Sequence, residues 1–353
     1  MTSLLLPQDY SMNSQKVLVT GGAGYIGAHT VVELVQAGWE PVVVDDLSRS
    51  NISLIAGVEK IVGRKILFHK VDCNDLVQLR NVFKENKDIA SVIHFAAFKS
   101  VNESVQQPLA YYQNNIGSLL TVLGAMKEFS ITRLIFSSSC TVYGQPDQIP
   151  VTEEAPFKRA ESPYGATKQM CERILEDETI ARKELRVVSL RYFNPIGAHP
   201  SSHIGELPIG IPNNLVPFIT QTAIGKRKQL TVYGADYNTP DGSCLRDFIH
   251  IVDLAQAHVK ALEKIDDLPH TYEPVNLGSG KPVSVLELVK TFIQVNGVPL
   301  NYTIGPRRAG DIEKVFADPR KSLSMLDWKT KLSIQDALRD AWQWEQKLHH
   351  AAH

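Results

Sequence analysis

The sequence predicts an α/β protein: a doubly wound parallel sheet followed by a smaller mixed α/β domain. Three observations carry that expectation. Short apolar runs alternate with amphipathic stretches through the first half of the chain. Each run ends in small or polar residues, where ligands collect on an open parallel sheet. After Arg191 the texture changes, with prolines and glycines crowding residues 195–217 and the apolar runs shortening. The expected division is residues 1–14 as an N-terminal extension, 15–190 as the sheet domain and 191–353 as the second domain. Segment 244–253 is a candidate to pack back on the first.

The first element sets the rest. Val17–Thr20 is an apolar run feeding Gly21-Gly-Ala-Gly-Tyr-Ile-Gly27, after which Ile26, Val31, Leu34 and Val35 recur at helical spacing. That order reads as strand, tight turn, helix. Gly21 and Gly22 allow the turn, Gly24 lets backbone approach a pyrophosphate, and Gly27 lets the helix lie close on the strand. The helix start offers unpaired N–H groups and a positive dipole to a doubly charged linker. Gly38 ends the helix, and Pro41–Asp45 reads as a second buried strand with a carboxylate at its tip. The spacing is close to the roughly 20 residues expected between a glycine fingerprint and a ribose-binding acid. Asp45, with Asp46 beside it, would accept from the ribose hydroxyls and repel a 2′-phosphate, favouring NAD. Arg49 argues for NADP but lies on the following loop and is outweighed. The sheet is expected to be a Rossmann sheet.

The remaining elements follow in order. The loop through Ser48–Asn51 is polar and is expected to skirt the adenosine. Lys65–Val71 reads as a third strand, closed by Asp72, with a helix near Asn74–Glu85. Ser91–Phe95 is a fourth strand and Leu109–Lys127 a long helix. Arg133–Phe136 is a fifth strand, ending in Ser137, Ser138 and Ser139. Tyr164–Lys183 is a helix and Arg186–Leu190 a sixth strand. In the second half, helices are expected near Leu215–Ile224 and Ile251–Glu263. Ser284–Glu287 and Ser333–Asp336 have the spacing of capping boxes, the second before a last helix carrying Trp342 and Trp344.

Composition narrows the class. With 43% hydrophobic and 21% charged residues the chain is ordinary for a globular protein with a sizeable core. A formal net charge of −1 suggests no nucleic-acid or anionic-membrane surface. Cys73, Cys140, Cys171 and Cys244 are far apart, which argues against zinc or a disulfide framework and for a reducing compartment. Leu4–Leu6 is too short for a signal segment and no run approaches membrane-spanning length, so a cytoplasmic location is expected. No metal site is expected, and His349, His350 and His353 read as a frayed tail.

The chemistry sits in Tyr164-Gly-Ala-Thr-Lys168. Tyr and Lys four apart share one helix face. A free phenol near pKa 10 is a poor base at neutral pH. A nearby ammonium and an oxidised nicotinamide both favour the phenolate, so its pKa is expected to fall.

On these residues the chain resembles the extended short-chain dehydrogenase/reductases and, within them, the nucleotide-sugar 4-epimerases. The resemblance runs from about Lys16 to the C-terminal helix. It rests on the glycine turn, His94-Phe-Ala-Ala97 with Lys99, Phe136–Ser139 with Thr141-Val-Tyr-Gly144, and Ser162-Pro-Tyr-Gly165. Further matches are Leu190-Arg-Tyr-Phe-Asn194, Gly210-Ile-Pro-Asn-Asn-Leu215, Arg246-Asp-Phe-Ile-His250 and Arg307-Arg-Ala-Gly-Asp311. Departures are Ala97 where glycine is frequent, Cys140 in the serine-run motif, and Ala309.

The resemblance implies an NAD-dependent isomerase that interconverts UDP-galactose and UDP-glucose through a 4-keto intermediate. Tyr164 would be the base, Lys168 would hold the nicotinamide ribose, and Ser139 would bond O4. For NAD it implies Gly21, Gly24, Tyr25, Ile26 and Gly27 at the pyrophosphate, and Asp45 and Asp46 at the adenosine ribose. Asp72 and Cys73 would line the adenine, Phe95, Ala96, Ala97 and Lys99 the pyrophosphate side. Asn114, Ser137 and Phe193 would flank the nicotinamide half. For the UDP-sugar it implies Lys99, Asn194, Asn214, Leu215, Thr231, Val232, Tyr233, Arg246 and Arg308. Val315 would border the sugar pocket, where its small size would admit an N-acetyl group, although a plain core valine reads nearly as well. A 4,6-dehydratase would need an acid pair that Ser139-Cys140-Thr141 does not supply. A uronate epimerase would place extra donors for a C6 carboxylate, and none is identifiable. A non-catalytic NAD-binding protein on the same fold is opposed by the intact Tyr164, Lys168 and Ser139. The resemblance also implies a homodimer through the Leu109–Lys127 and Tyr164 helices, while burial of their apolar faces within the monomer stays open.

Overall fold

Along β1 (Lys16–Thr20), Val17 and Val19 enter one apolar layer and Leu18 the other. The same alternation recurs in β2 (Glu40–Val44), β4 (Ile89–His94), β5 (Arg133–Ser139) and β6 (Arg186–Tyr192). A sheet apolar on both faces must be covered on both, as parallel sheets are. The computed structural model, which describes residues 15–308 and 312–351, shows this arrangement. With β3 (Leu67–His69) and β11 (Tyr272–Leu277) these strands form one seven-stranded parallel sheet in the order β11-β6-β5-β4-β1-β2-β3. It is the doubly wound Rossmann arrangement expected.

The helices of the first half are α1 (Tyr25–Gln36), α2 (Ser53–Val62), α3 (Leu76–Glu85), α4 (Val101–Gln106), α5 (Pro108–Glu128) and α6 (Pro163–Ala181). Two elements depart from the sequence reading. Residues just after the expected Ser48–Asn51 loop, to which the sequence assigns no element, form α2, which buries Leu54, Ile55 and Val58. Its Gly57 lies so close to the His203 carbonyl that a Cβ would stand 2.2 Å from the oxygen. The sheet also does not stop at residue 190. β11 pairs with β6 from Tyr272 beside Val187 to Leu277 beside Tyr192. This covers an apolar strand that would otherwise be an open edge.

The second half contributes β7 (Asn194–Ile196), α7 (Leu215–Ala223), β8 (Leu230–Tyr233), β9 (Leu245–Arg246), β10 (Phe248–His250) and α8 (Ile251–Lys264). After β11 come β12 (Val283–Ser284), α9 (Val285–Asn296), β13 (Tyr302–Gly305), β14 (Lys314–Val315), α10 (Arg320–Leu326) and α11 (Ile334–Ala351). Helix α8 packs on α1, so residues 251–277 return to the sheet domain. A separate core, with Phe292, Leu288, Ile219, Leu338 and Trp342, joins α7, α9 and α11. Both expected capping boxes begin helices: Ser284 Oγ accepts from Glu287 N at 3.0 Å, and Ser333 Oγ from Asp336 N at 3.1 Å. Helix α11 runs on through His349 and His350, which are not a frayed tail. The expected extension 1–14 and His353 lie outside the described residues.

Candidate active site

Parallel register aligns the strand ends on one edge. Thr20 lies beside Val44 and His94, His94 beside Phe136, and Ser139 beside Tyr192. The glycine turn leaves this edge with Gly21 at φ +69°, and a Cβ there would stand 2.7 Å from Ala96 N. A Cβ at Gly27 would stand 2.3 Å from the Gly21 carbonyl. Gly24 begins α1 with no side-chain cap and no acidic residue in the first turn. An open, positively polarised helix start facing bare backbone fits a pyrophosphate. Tyr25 OH donates to Gly197 O at 2.6 Å, tying the turn to the second half, and Ile26 packs on the sheet core.

Asp45 stands at the tip of β2, against the glycine turn. One carboxylate oxygen accepts from Ala23 N at 3.0 Å, the other from Leu47 N at 2.9 Å and the Ser50 hydroxyl at 2.7 Å. Burial raises its pKa, and those donors pull it back. Asp46 accepts from the Ser48 N–H and hydroxyl. At the end of β3, Asp72 accepts from Asn74, whose amide donates to Asn114 at 3.2 Å. Cys73 is buried beside them, and burial pushes its thiol well up. Phe95, Ala96 and Ala97 continue the edge, with the Phe95 ring 4.8 Å from that of His258. These groups form one continuous groove edge suited to a dinucleotide.

The residues expected to react meet this edge from α6. Ser162 caps the helix, accepting from Gly165 N at 3.2 Å, and Pro163 opens its first turn. Lys168 is buried, donates to Ser137 O at 2.5 Å, and lies 6.0 Å from the Tyr164 ring centroid. Burial pulls Lys168 down to about 8, against the attraction of Cys171 and Glu172. Tyr164 is pushed up to about 12 by burial, with a Ser139 hydrogen bond opposing. This corrects the expected fall: in the protein alone, removal from water outweighs everything that favours the phenolate. Ser139 also accepts from Thr141 N at 3.2 Å as its strand turns.

Residues expected on the sugar-nucleotide side fall in three places. Phe193 and Val315 are buried together with Val142 and Tyr143, and Val315 pairs with Arg246 between β14 and β9. Arg246 donates to Ile312 O at 2.6 Å, and the Asn194 amide to Asp247 O at 3.0 Å. Asn214 and Leu215 begin α7, where the Asn214 amide meets the Glu206 carboxylate at 2.6 Å. Lys99 reaches the same oxygen at 3.2 Å, so Glu206 links both expected binding groups. Thr231, Val232 and Tyr233 form most of β8, with the Arg308 guanidinium 5.6 Å from the Tyr233 ring. Val232 is buried in the second core, which leaves its backbone rather than its side chain for a ligand. Ala309, Gly310 and Asp311 lie outside the described residues.

The sequence profile of the NAD dependent epimerase/dehydratase family matches residues 17–278. The chain belongs to this family. It is 50% identical over 330 residues to a UDP-glucose 4-epimerase of Dictyostelium discoideum, covering 94% of this chain and 95% of that one. A UDP-glucose-4-epimerase from Stenotrophomonas maltophila, with bound NAD and formylated UDP-arabinopyranose, superposes with a TM-score of 0.92. That protein is 44% identical, and the match covers 96% of this chain and 99% of its own. The Bifidobacterium longum UDP-glucose 4-epimerase, in complex with NAD+ and UDP, gives a TM-score of 0.90 at 44% identity over 94% and 98% of the chains. Within this family member two carboxylates by the site are absent from the sequence reading. Glu206 follows a glycine in a proline-rich loop and carries no pattern. Glu172 follows Lys168 by one helical turn, which is a usable signal.

Proposed function

We propose that this isomerase interconverts UDP-galactose and UDP-glucose by transient oxidation at C4, through a 4-keto intermediate. The observation that carries the reading is the convergence of Tyr164, Ser139 and Lys168 on the sheet edge that bears the glycine turn. Near full-length similarity to UDP-glucose 4-epimerases supports the same substrate. Tyr164 takes the proton of the 4-hydroxyl and later returns it, while Ser139 bonds O4 and relays that proton. Lys168, anchored on Ser137 O, holds ribose hydroxyls and favours the phenolate. Bound NAD supplies the hydride acceptor and donor, and its positive ring counters the burial that holds the phenol up. The glycine turn and Asp45 would hold the dinucleotide; Arg246 and Arg308 suit the sugar diphosphate, since guanidinium matches phosphate oxygens. Between the half-reactions the ketohexose turns about its diphosphate link and presents its other face. The test is incubation with UDP-galactose without added NAD, followed by NMR of the sugar. UDP-glucose forming while NAD stays bound supports the reading, and no conversion by NAD-loaded enzyme refutes it.

Val315 bears on substrate range. Val315, beside Phe193 and paired with Arg246, is smaller than a tyrosine would be at the same place. UDP-N-acetylglucosamine is therefore also a substrate in this reading. Val315→Tyr is expected to lower N-acetylhexosamine epimerisation by about tenfold or more, roughly 1.4 kcal/mol, with UDP-galactose turnover changed far less. Equal losses on both substrates would make Val315 a plain core residue. The outward faces of α5 and α6 expose Leu109, Leu120, Met170 and Ile180, which supports a homodimer; light scattering at the 39.2 kDa monomer mass would exclude it. Among the described residues no helix is long and apolar enough to cross a membrane. The four cysteines are unpaired, which supports a cytoplasmic location, testable by cell fractionation.

A further inference from the structure

Glu172 lies one turn beyond Lys168 and two beyond Tyr164 on α6, on the same helical stripe. Its side chain is only 2% exposed. One carboxylate oxygen takes the Ser138 hydroxyl and Arg191 Nε at 3.0 Å; the other takes Arg191 Nη2 at 2.6 Å and the Tyr272 hydroxyl at 2.8 Å. Arg191 reaches on to the Tyr143 hydroxyl at 2.9 Å and Glu153 O at 3.1 Å. Ser138 sits between Ser137, whose carbonyl accepts from Lys168, and Ser139, which bonds Tyr164. One carboxylate therefore ties the helix that carries two of the reacting groups to the strand end that carries the third. A buried ion pair is a poor source of net stability, because desolvation offsets its attraction. Its position next to the site asks for another account.

We propose that Glu172 is a positioning residue for the proton transfer: clamped by Arg191, it fixes the Ser137–Ser139 strand end against α6 and sets a carboxylate one helical turn from the Lys168 ammonium. This rests on the roles given above to Tyr164, Ser139 and Lys168. Around the ammonium stand Tyr164, Cys171 and Glu172 of α6, the Ser137 carbonyl and Phe136 ring of β5, and His94 of β4. Burial holds His94 neutral and pushes the Cys171 thiol up to about 11, which leaves Glu172, ion-paired with Arg191 at 2.6 Å, as the carboxylate in that shell. Without it the ammonium titrates at lower pH.

The experiment compares Glu172→Gln, Ser138→Ala and Tyr272→Phe as NAD-loaded enzymes, reading kcat, KM and bound NAD across pH. Glu172→Gln is expected to lower kcat about tenfold near pH 8, leave KM within about twofold, and move the alkaline limb about one unit lower. Ser138→Ala is expected to lower kcat about fivefold with the limb in place, since the charge remains. Tyr272→Phe removes a bond on the far side of the same carboxylate and is expected to keep kcat within about twofold. An unshifted limb in folded Glu172→Gln overturns the proposal, as do equal kcat losses in Ser138→Ala and Tyr272→Phe. If Glu172→Gln does not fold, the contrast between the two hydroxyl variants decides. Tyr164→Phe, run alongside, separates the two levels: full turnover there refutes the site reading itself, whereas its loss with no effect at Ser138 refutes only the role of Glu172.

Discussion

Tyr164→Phe is expected to lower turnover of UDP-galactose by about a thousandfold, roughly 4 kcal/mol of activation free energy, while leaving NAD bound. The change removes one oxygen and keeps the ring that packs at the start of α6. The Lys168 bond to Ser137 O and the Ser162 cap do not involve the phenol hydroxyl, so the helix and the glycine turn keep their geometry. The loss therefore falls on kcat. The measurement is conversion by NMR, with NAD counted by absorbance after denaturation. A variant that keeps a third or more of its turnover, about 0.7 kcal/mol or less, would refute proton transfer through this phenol and revive a non-catalytic role for the fold. The raised pKa of Tyr164 sharpens the expectation: a phenol held neutral by burial reacts only when a positive charge arrives with the cofactor.

The parts legible in the sequence are those governed by steric necessity. Gly21 and Gly27 are readable because no side chain fits where their Cβ would lie. Tyr164 and Lys168 are readable because four residues make one helical turn. Helix α2 is hidden by its shortness and by Gly57, a poor helix former kept by its contact with the 203–204 segment. Strand β11 is hidden by Glu273, Pro274 and Asn276, which break its apolar run; the proline is tolerated at the sheet edge. The pKa of Tyr164 departs from expectation for a different reason. Charge neighbours follow from spacing, but how far the half-buried Tyr164 is withdrawn from water depends on tertiary packing. The link from Lys99 through Glu206 to Asn214 joins residues more than a hundred positions apart, which no local pattern encodes.

Acid is expected to unfold this protein abruptly. His29, His94 and His258 are at most 2% exposed, and burial pulls them to about 3, about 3 and about 4. His29 Nδ1 lies 2.7 Å from Tyr25 O, and its Nε2 has no hydrogen-bond partner among the described residues. His94 Nδ1 is 2.7 Å from the Thr20 hydroxyl, and His258 joins Leu254 O and the Tyr192 hydroxyl. None of these surroundings offers a carboxylate to a second ring proton. Unfolded, each ring would titrate near 6.5. Above that value both states are neutral and the full stability is present. Below it the unfolded chain takes up protons that the folded one refuses, so stability falls until pH reaches the folded values. At about pH 5 each ring has cost about 2 kcal/mol, about 6 in all, against a typical total of 5–15 kcal/mol. Buried Asp45 and Asp253 and half-buried Glu33 and Glu153 have raised values and oppose this as they take up protons in the folded state, so the three rings set the upper limit of the slope. Denaturant unfolding between about pH 6 and pH 5 should therefore show a slope approaching 4 kcal/mol per pH unit, the uptake of three protons. A flat response over that interval would mean the rings are already protonated inside the fold, contrary to the apolar packing of α1, β4 and α8.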